Sequence, residues 1–318
     1  MQKKLPLAVV FPGQGSQSLG MLKDIAASFS IVEQTFAQAS DVLGYDVWTL
    51  IQQDPQQCLD QTAFTQPALL TASYALWRIL QQSGLETPQY LAGHSLGEYT
   101  ALVCAEALDF TAALKLVAMR GELMQAAVPA GTGAMAAIIG LNEAAVIKLC
   151  EDTCEPNEIL APANFNSVGQ IVIAGHKASV VKAVNEAKAH GAKLATLLAV
   201  SVPSHSALML TAAEKFADYL AKIEFATPKI AVINNIDAEP YASAETIATG
   251  LVAQLSQPVQ WVKTIEYMIQ HGITTIIECG PNKILTGLNK RIDKSLQLFN
   301  TADLANLRLV PHLENLGV

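Results

Sequence analysis

The stretch Tyr90-Leu91-Ala92-Gly93-His94-Ser95-Leu96-Gly97-Glu98 constrains the fold more than any other part of the chain. A short apolar run ends here on the frame Gly-x-Ser-x-Gly, and a helical pattern follows at once. That frame reads as a strand-to-helix turn so tight that neighbouring backbone closes around it, which suits Gly93 and Gly97 and leaves Ser95 exposed on strained backbone. The helix starting under Ser95 aims its unpaired N–H groups and positive dipole end at the hydroxyl. An anion formed there meets donors already in place.

The chain has 318 residues, 51% of them hydrophobic and 15% charged, which suits one large or two modest domains with a sizeable core. The net charge of −8, with no basic domain or strip, argues against a nucleic-acid binder. Membrane insertion is not expected. The uncharged stretches Leu123–Asn142 and Leu194–Ala213 are each broken by proline, glycine or polar residues. Met1-Gln2-Lys3-Lys4 has the charge of a signal peptide, but the apolar run after it is short and meets Pro12-Gly13-Gln14 with no cleavage site, so it reads as a first strand. The five cysteines, Cys58, Cys104, Cys150, Cys154 and Cys279, are odd in number and lack zinc-like spacing, as expected of reduced thiols in a cytoplasmic protein with no metal.

Along the chain, Leu7–Phe11 reads as a buried strand and Pro12–Gly20 as a glycine-rich loop opening a helix. This loop has neither G-x-G-x-x-G spacing nor a closing Gly-Lys-Ser/Thr, so it is not a nucleotide cradle. It can still bring an amide side chain, Gln14, beside a neighbouring strand end. Helices are expected over Ile31–Ala39 and Ala68–Leu80, the latter starting at Thr65-Gln66-Pro67. A long helix, Phe110–Ala127, is capped by Asp109. From Gly133 the order becomes strand, helix, strand, strand, helix, strand: Ala134–Ile139, Glu143–Cys150, Ile159–Asn164, Gln170–Ala174, Lys177–Ala189 and Lys193–Val200. That β-α-β-β-α-β order is the split ferredoxin-like unit, with Asn164–Gly169 as its central hairpin. Beyond it, a helix over Leu208–Ile223 precedes a strand at Ile230–Asn234, helices at Ala248–Leu255 and Trp261–Ile269, a strand at Thr275–Glu278 and a helix at Asn282–Ile292. The expectation is an α/β fold: a large α/β-hydrolase-like domain with a mainly parallel sheet, residues 1–128 and 201–318, and an inserted small ferredoxin-like subdomain, residues 129–200. Sites in such sheets lie at the strand C-terminal ends, where Ser95, His205 and the Gln14 loop all fall.

A serine nucleophile needs a base within hydrogen-bond reach. Of six histidines, His94 adjoins Ser95 and should point elsewhere; His190 and His271 precede glycines at helix ends; His176 follows a strand and His312 is in the tail. His205 remains, in a loop fixed by Pro203 and flanked by Ser204 and Ser206. Hydrolases with this elbow place an acid between serine and histidine, and no acid between Ser95 and His205 has a clear loop signature. A histidine oriented by a neutral carbonyl suits passing an acyl group to a chosen acceptor. Arg120 sits on the apolar stripe of Ala113, Val117 and Met124 with no acid three or four residues away. Two readings stay open: a snorkelling side chain with its head in water, and a cation waiting for a substrate carboxylate.

Taken together these residues resemble the malonyl-CoA:acyl carrier protein transacylases of type II fatty acid synthesis over nearly the full length. The resemblance is carried by Phe11-Pro12-Gly13-Gln14-Gly15-Ser16-Gln17, Gly93–Glu98, Arg120-Gly121 with Met124-Gln125, Gly131–Met135, Asn164-Phe165-Asn166-Ser167, Val202-Pro203-Ser204-His205, Gln257–Trp261, and Gly280-Pro281 leading to Leu285-Thr286-Gly287-Leu288. It implies Ser95 as nucleophile, His205 as base and Gln254 as the residue whose main-chain carbonyl orients His205. Gln14 and the Leu96 backbone N–H would form the oxyanion hole, Arg120 would pair with the malonyl carboxylate, and Asn164 and Asn166 would contact the thioester. The chain departs from the family at Ala253, where an arginine is usual. Malonyl-CoA would acylate Ser95 and the phosphopantetheine thiol of acyl carrier protein would take the malonyl group, in a cytoplasmic monomer with no metal or redox cofactor. An acidic carrier would dock on Lys283, Lys290, Arg291 and Lys294, around the last helix, whose alternative is a solvated face. A serine thioesterase or esterase, and a carrier-docking subunit without catalysis, are the rival readings. These residues suit a fatty acid and a polyketide pathway alike.

Overall fold

The computed structural model of the chain describes residues 6–200 and 202–311. Expectations that fall on Met1–Lys4, Ser201 and His312 lie outside the described residues. Nine strands are present among these residues: β1 Leu7–Phe11, β2 Tyr90–Gly93, β3 Gly133–Ile139, β4 Leu160–Ser167, β5 Gln170–His176, β6 Leu194–Leu197, β7 Ala231–Ile233, β8 Thr275–Glu278 and β9 Gln297–Asn300.

One sheet has the order β7-β2-β1-β8-β9, and every neighbouring pair is parallel. Its central strand β1 reads Leu-Ala-Val-Val-Phe without alternation because both faces are covered. Leu7, Val9 and Phe11 pack into the main core on one side, while Ala8 and Val10 join Trp261, Ile265 and Met268 on the other. Full burial of each Leu, Val, Ile, Phe or Met side chain among these contributes about 1.5–3 kcal/mol. The parallel register brings the C-terminal ends of β1, β2, β7 and β8 to one edge of the sheet.

The second sheet, order β4-β5-β3-β6, is antiparallel throughout. Helices Glu143–Thr153 and Lys177–Glu186 cover one face, where Ala136, Ile138, Ile171 and Ile173 meet Val146, Leu149, Val180 and Ala183. Met135, Ala163, Val172 and Ala174 form the core of the other face. Two backbone hydrogen bonds stitch this sheet to the rest: Phe165 N–H donates to Val259 O and Val259 N–H to Ala163 O, both at 2.9 Å.

Several sequence expectations shift. The helix expected from Ala68 spans Thr62–Gln82, with Pro67 inside it. The missing Pro67 N–H forgoes one helical hydrogen bond, offset by burial of Thr62, Thr65, Gln66 and Ala68 on the helix's first turns. The hairpin expected over Asn164–Gly169 is narrower, since Asn164, Phe165, Asn166 and Ser167 are still strand and the chain turns only at Val168-Gly169. Strand β6 ends at Leu197 rather than Val200. The helix expected from Asn282 begins at Ile284 and is not the last, because Leu304–Leu307 follows; Lys294 lies beyond its end. Strand β9 and the helix Val47–Gln53, capped by the Asp46 side chain, were not anticipated.

Candidate active site

The turn after β2 has the geometry its glycines imply. A Cβ on Gly93 would lie 1.8 Å from the Gly97 carbonyl carbon, and one on Gly97 would lie 2.0 Å from the Phe11 carbonyl oxygen. Ser95 sits between them at φ 52°, ψ −109°, a region an L-residue enters only when its surroundings hold it there. The hold comes from Asn235, in the turn two residues past β7: its Oδ1 accepts from the Ser95 backbone N–H at 2.7 Å and its Nδ2 donates to Gly93 O at 2.6 Å. The Leu96 N–H, first in the helix Leu96–Cys104, has no backbone or side-chain acceptor among the described residues.

His205 meets Ser95 from the loop before the helix Leu210–Leu220. Its Nε2 lies 2.8 Å from Ser95 Oγ and its Nδ1 lies 2.7 Å from the Gln254 main-chain carbonyl. A carbonyl can only accept, so Nδ1 carries the proton and Nε2 is left free to accept from the serine hydroxyl. His205 is 3% exposed, with backbone φ 60°. Burial, reinforced by the nearby Arg120 charge, pushes its pKa down to about 3, so the imidazole is neutral across the physiological range.

Arg120 is fully buried, at 0% exposure, which rules out the snorkelling alternative. Its helix, Phe110–Ala126, approaches the helix Thr62–Gln82 closely at Gly121, where a Cβ would lie 2.6 Å from Ala63 Cα. One guanidinium nitrogen donates to Gln66 Oε1 at 2.7 Å; the other donates to Gln254 Oε1 at 2.9 Å and lies 3.2 Å from Ser95 Oγ. The plane stands over the Tyr99 ring at 5.2 Å. Among the described residues no carboxylate comes within ion-pair distance of it, and burial lowers its pKa. Such an arrangement favours an incoming anion.

A cavity of about 440 Å³ opens over Ser95 between the two sheets. Gln14, Ser95, Asn164, Asn166 and His205 all line it, with Met135, Val172, Leu198 and Leu288 as apolar walls. Gln14 is steadied by Thr62, 3.2 Å from its Nε2. Asn166 Oδ1 faces His94 Nε2 at 2.8 Å. His94, expected to point elsewhere, is therefore a wall of the same cavity, its pKa lowered by burial. Lys283, Lys290, Arg291 and Lys294 are all exposed outside the cavity, and Arg291 reaches Gln170 Oε1 at 2.6 Å. The helix Ile284–Ile292 also lines the cavity with Ile284, Leu285 and Leu288. Sequence reasoning missed Gln66, Glu98, Asn235 and Tyr241. A polar Asn234-Asn235 pair ending a buried strand was the available signal for Asn235; Gln66 and Tyr241 carry none.

The five cysteines are free thiols. Among the described residues no helix is long and apolar enough to cross a membrane, and no group of three or more metal-ligating side chains occurs.

Comparison with known proteins places this arrangement. The acyl transferase domain family matches residues 8–315. The malonyl CoA-acyl carrier protein transacylase of Escherichia coli strain K12 is 57% identical over 289 residues, covering 91% of this chain and 93% of its own length. That of Haemophilus influenzae is 52% identical over 304 residues, covering 95% and 97%. A crystal structure of an acyl carrier protein S-malonyltransferase from Vibrio cholerae superposes with a TM-score of 0.92 at 54% identity, over 96% of this chain and 99% of that one. A malonyl-transacylase in complex with its type II PKS acyl-carrier protein superposes with a TM-score of 0.94 at 53% identity, over 97% and 99%. The chain is an acyltransferase and belongs to the malonyl CoA-acyl carrier protein transacylases of the acyl transferase domain family.

Proposed function

We propose that this enzyme moves the malonyl group of malonyl-CoA to the phosphopantetheine thiol of acyl carrier protein through a ping-pong seryl acyl-enzyme. The observation that carries the reading is the buried Arg120 guanidinium beside Ser95 Oγ, a cation placed where an acyl group ending in a carboxylate would reach it. Ser95 Oγ attacks the thioester carbon and gives its proton to His205 Nε2. The oxyanion is held by the Leu96 N–H and the Gln14 amide. Collapse breaks the carbon–sulfur bond, and the His205 proton passes to the leaving CoA sulfur. The carrier thiol then gives its proton to His205, attacks the seryl ester and leaves as malonyl thioester, the proton returning to Ser95. Asn164 and Asn166 contact the thioester substrate from the cavity wall. Gln254 orients His205 with a neutral carbonyl, in the place where hydrolases carry an acid.

The element order and the strand order of the antiparallel sheet support reading residues 129–200 as a ferredoxin-like subdomain inserted into an α/β-hydrolase-like domain of residues 1–128 and 201–318. The family resemblance favours a cytoplasmic monomer feeding fatty acid synthesis. Carrier docking falls to Lys283, Lys290, Arg291 and Lys294, because the helix that carries Lys290 and Arg291 between the other two also walls the cavity. The test loads the enzyme with malonyl-CoA and follows discharge of the adduct. Holo-carrier protein is expected to discharge it far faster than water does; faster loss to water would mark a thioesterase. The double reversal Lys290→Glu and Arg291→Glu is expected to raise the KM for carrier protein and flatten its salt dependence with kcat for acylation unchanged. An unchanged KM puts docking elsewhere.

A further inference from the structure

We propose that Glu98 is a positioning residue whose carboxylate, acting through the Gln254 side chain, holds His205 and Arg120 in register with Ser95. Glu98 stands three residues after the nucleophile and is 1% exposed, yet no cation lies within ion-pair distance of it among the described residues. Its partners are three donors. The Tyr241 hydroxyl bonds Oε1, while Gln254 Nε2 at 2.6 Å and the Asn235 backbone N–H at 3.2 Å both reach Oε2.

Gln254 is the member that touches everything else. Its Oε1 accepts from Arg120, its Nε2 donates to Glu98 and to the Ser95 carbonyl at 3.0 Å, and its own main-chain carbonyl accepts from His205. The amide is thus strung between a cation and an anion. Flipped by half a turn, it would set its oxygen against the Glu98 carboxylate and its NH₂ against the guanidinium, repulsive at both ends. The Glu98 charge also favours the charged form of Arg120, the guanidinium that shares the Gln254 amide with it.

The charged and titratable groups around Glu98 are Arg120 from the helix Phe110–Ala126, Tyr99 from its own helix and Tyr241 from the segment after β7, with Asp237 beside Tyr241. Burial raises the Glu98 pKa to about 7 against the pull of its donors. The charge is therefore present above about pH 7 and is lost as pH falls through that value. The proton can sit only on Oε1, with the Tyr241 hydroxyl turning to accept it, since both partners of Oε2 are N–H donors. His205, held near 3, stays unprotonated across this range and cannot be the source of a limb near neutrality.

The inference rests on Ser95 as the nucleophile, so two readouts are taken in parallel between pH 5 and 9. One is the rate of Ser95 acylation by malonyl-CoA; the other is inactivation by phenylmethanesulfonyl fluoride, which needs neither CoA nor a carboxylate. In the native enzyme both rates are expected to fall roughly tenfold from pH 8 to pH 6, following the ionised fraction of a single group near 7. Glu98→Gln, which keeps the shape and loses the charge, is expected to flatten the profile at the slow limit. Tyr241→Phe removes a donor to the ionised form and is expected to move the limb to higher pH. Melting temperatures establish that each variant is folded; should Glu98→Gln not fold, the direction of the Tyr241→Phe shift decides. A folded Glu98→Gln that keeps the native limb, or a limb unmoved by Tyr241→Phe, overturns the proposal. Failure of malonyl-CoA alone, with the sulfonyl fluoride profile as described, overturns the substrate reading and leaves Glu98 in its role.

Discussion

Replacing His205 with asparagine lowers kcat/KM for malonyl-CoA by roughly 10⁴- to 10⁶-fold, the scale seen when one member of a nucleophile–base pair is removed. Asparagine is the informative choice because His205 sits at φ 60°, which asparagine tolerates better than alanine does. The effect is then chemical rather than a consequence of backbone strain. Ser95 keeps its elbow and its Asn235 contacts but has no acceptor for its proton. The Leu96 N–H and the Gln14 amide remain, so a residual rate above the uncatalysed reaction persists. Pre-steady-state acylation measured beside the melting temperature checks this. A loss below tenfold in a folded variant would mean that another group takes the proton.

Replacing Arg120 with alanine separates malonyl- from acetyl-CoA. Truncating one partner of a buried charge pair costs about 2–5 kcal/mol, or roughly 30- to several-thousand-fold in kcat/KM for malonyl-CoA. Acetyl-CoA has no carboxylate to lose and should show no comparable drop. The guanidinium also fastens Gln66 and Gln254, so the variant leaves two amide oxygens without their donor and some loss is shared by both substrates. The ratio of the two kcat/KM values cancels that shared part and is the quantity to read. Arg120→Lys keeps the charge without the planar fork and should recover only part of the ratio. Equal losses for both thioesters would make Arg120 a structural residue.

The elbow was legible in the sequence because its physics leaves a residue-type signature: only glycine fits where Gly93 and Gly97 touch backbone. His205 was found by elimination among six histidines, aided by the proline and serines that fix its loop. The group that orients it was not legible from residue types, since a main-chain carbonyl is common to all twenty, and Gln254 came only from family resemblance. Arg120 stood between two readings because its partners, Gln66 and Gln254, lie 54 and 134 positions away and no helical periodicity reports them. Tyr241 was hidden for the same reason, 143 positions from its partner Glu98. In the fold, the buried parallel strands were plain from their apolar runs. The four-residue β9, with Gln297 and Asn300 at its ends, carries too little pattern to separate it from a loop.

We propose that Ser95 carries the malonyl group between donor and acceptor. Mixing the enzyme with malonyl-CoA, measuring its intact mass and mapping the modified peptide tests that directly. A single malonyl adduct is expected on Ser95, and it disappears in Ser95→Ala. An adduct on Cys104 or any other residue, or one that survives the alanine substitution, would contradict it.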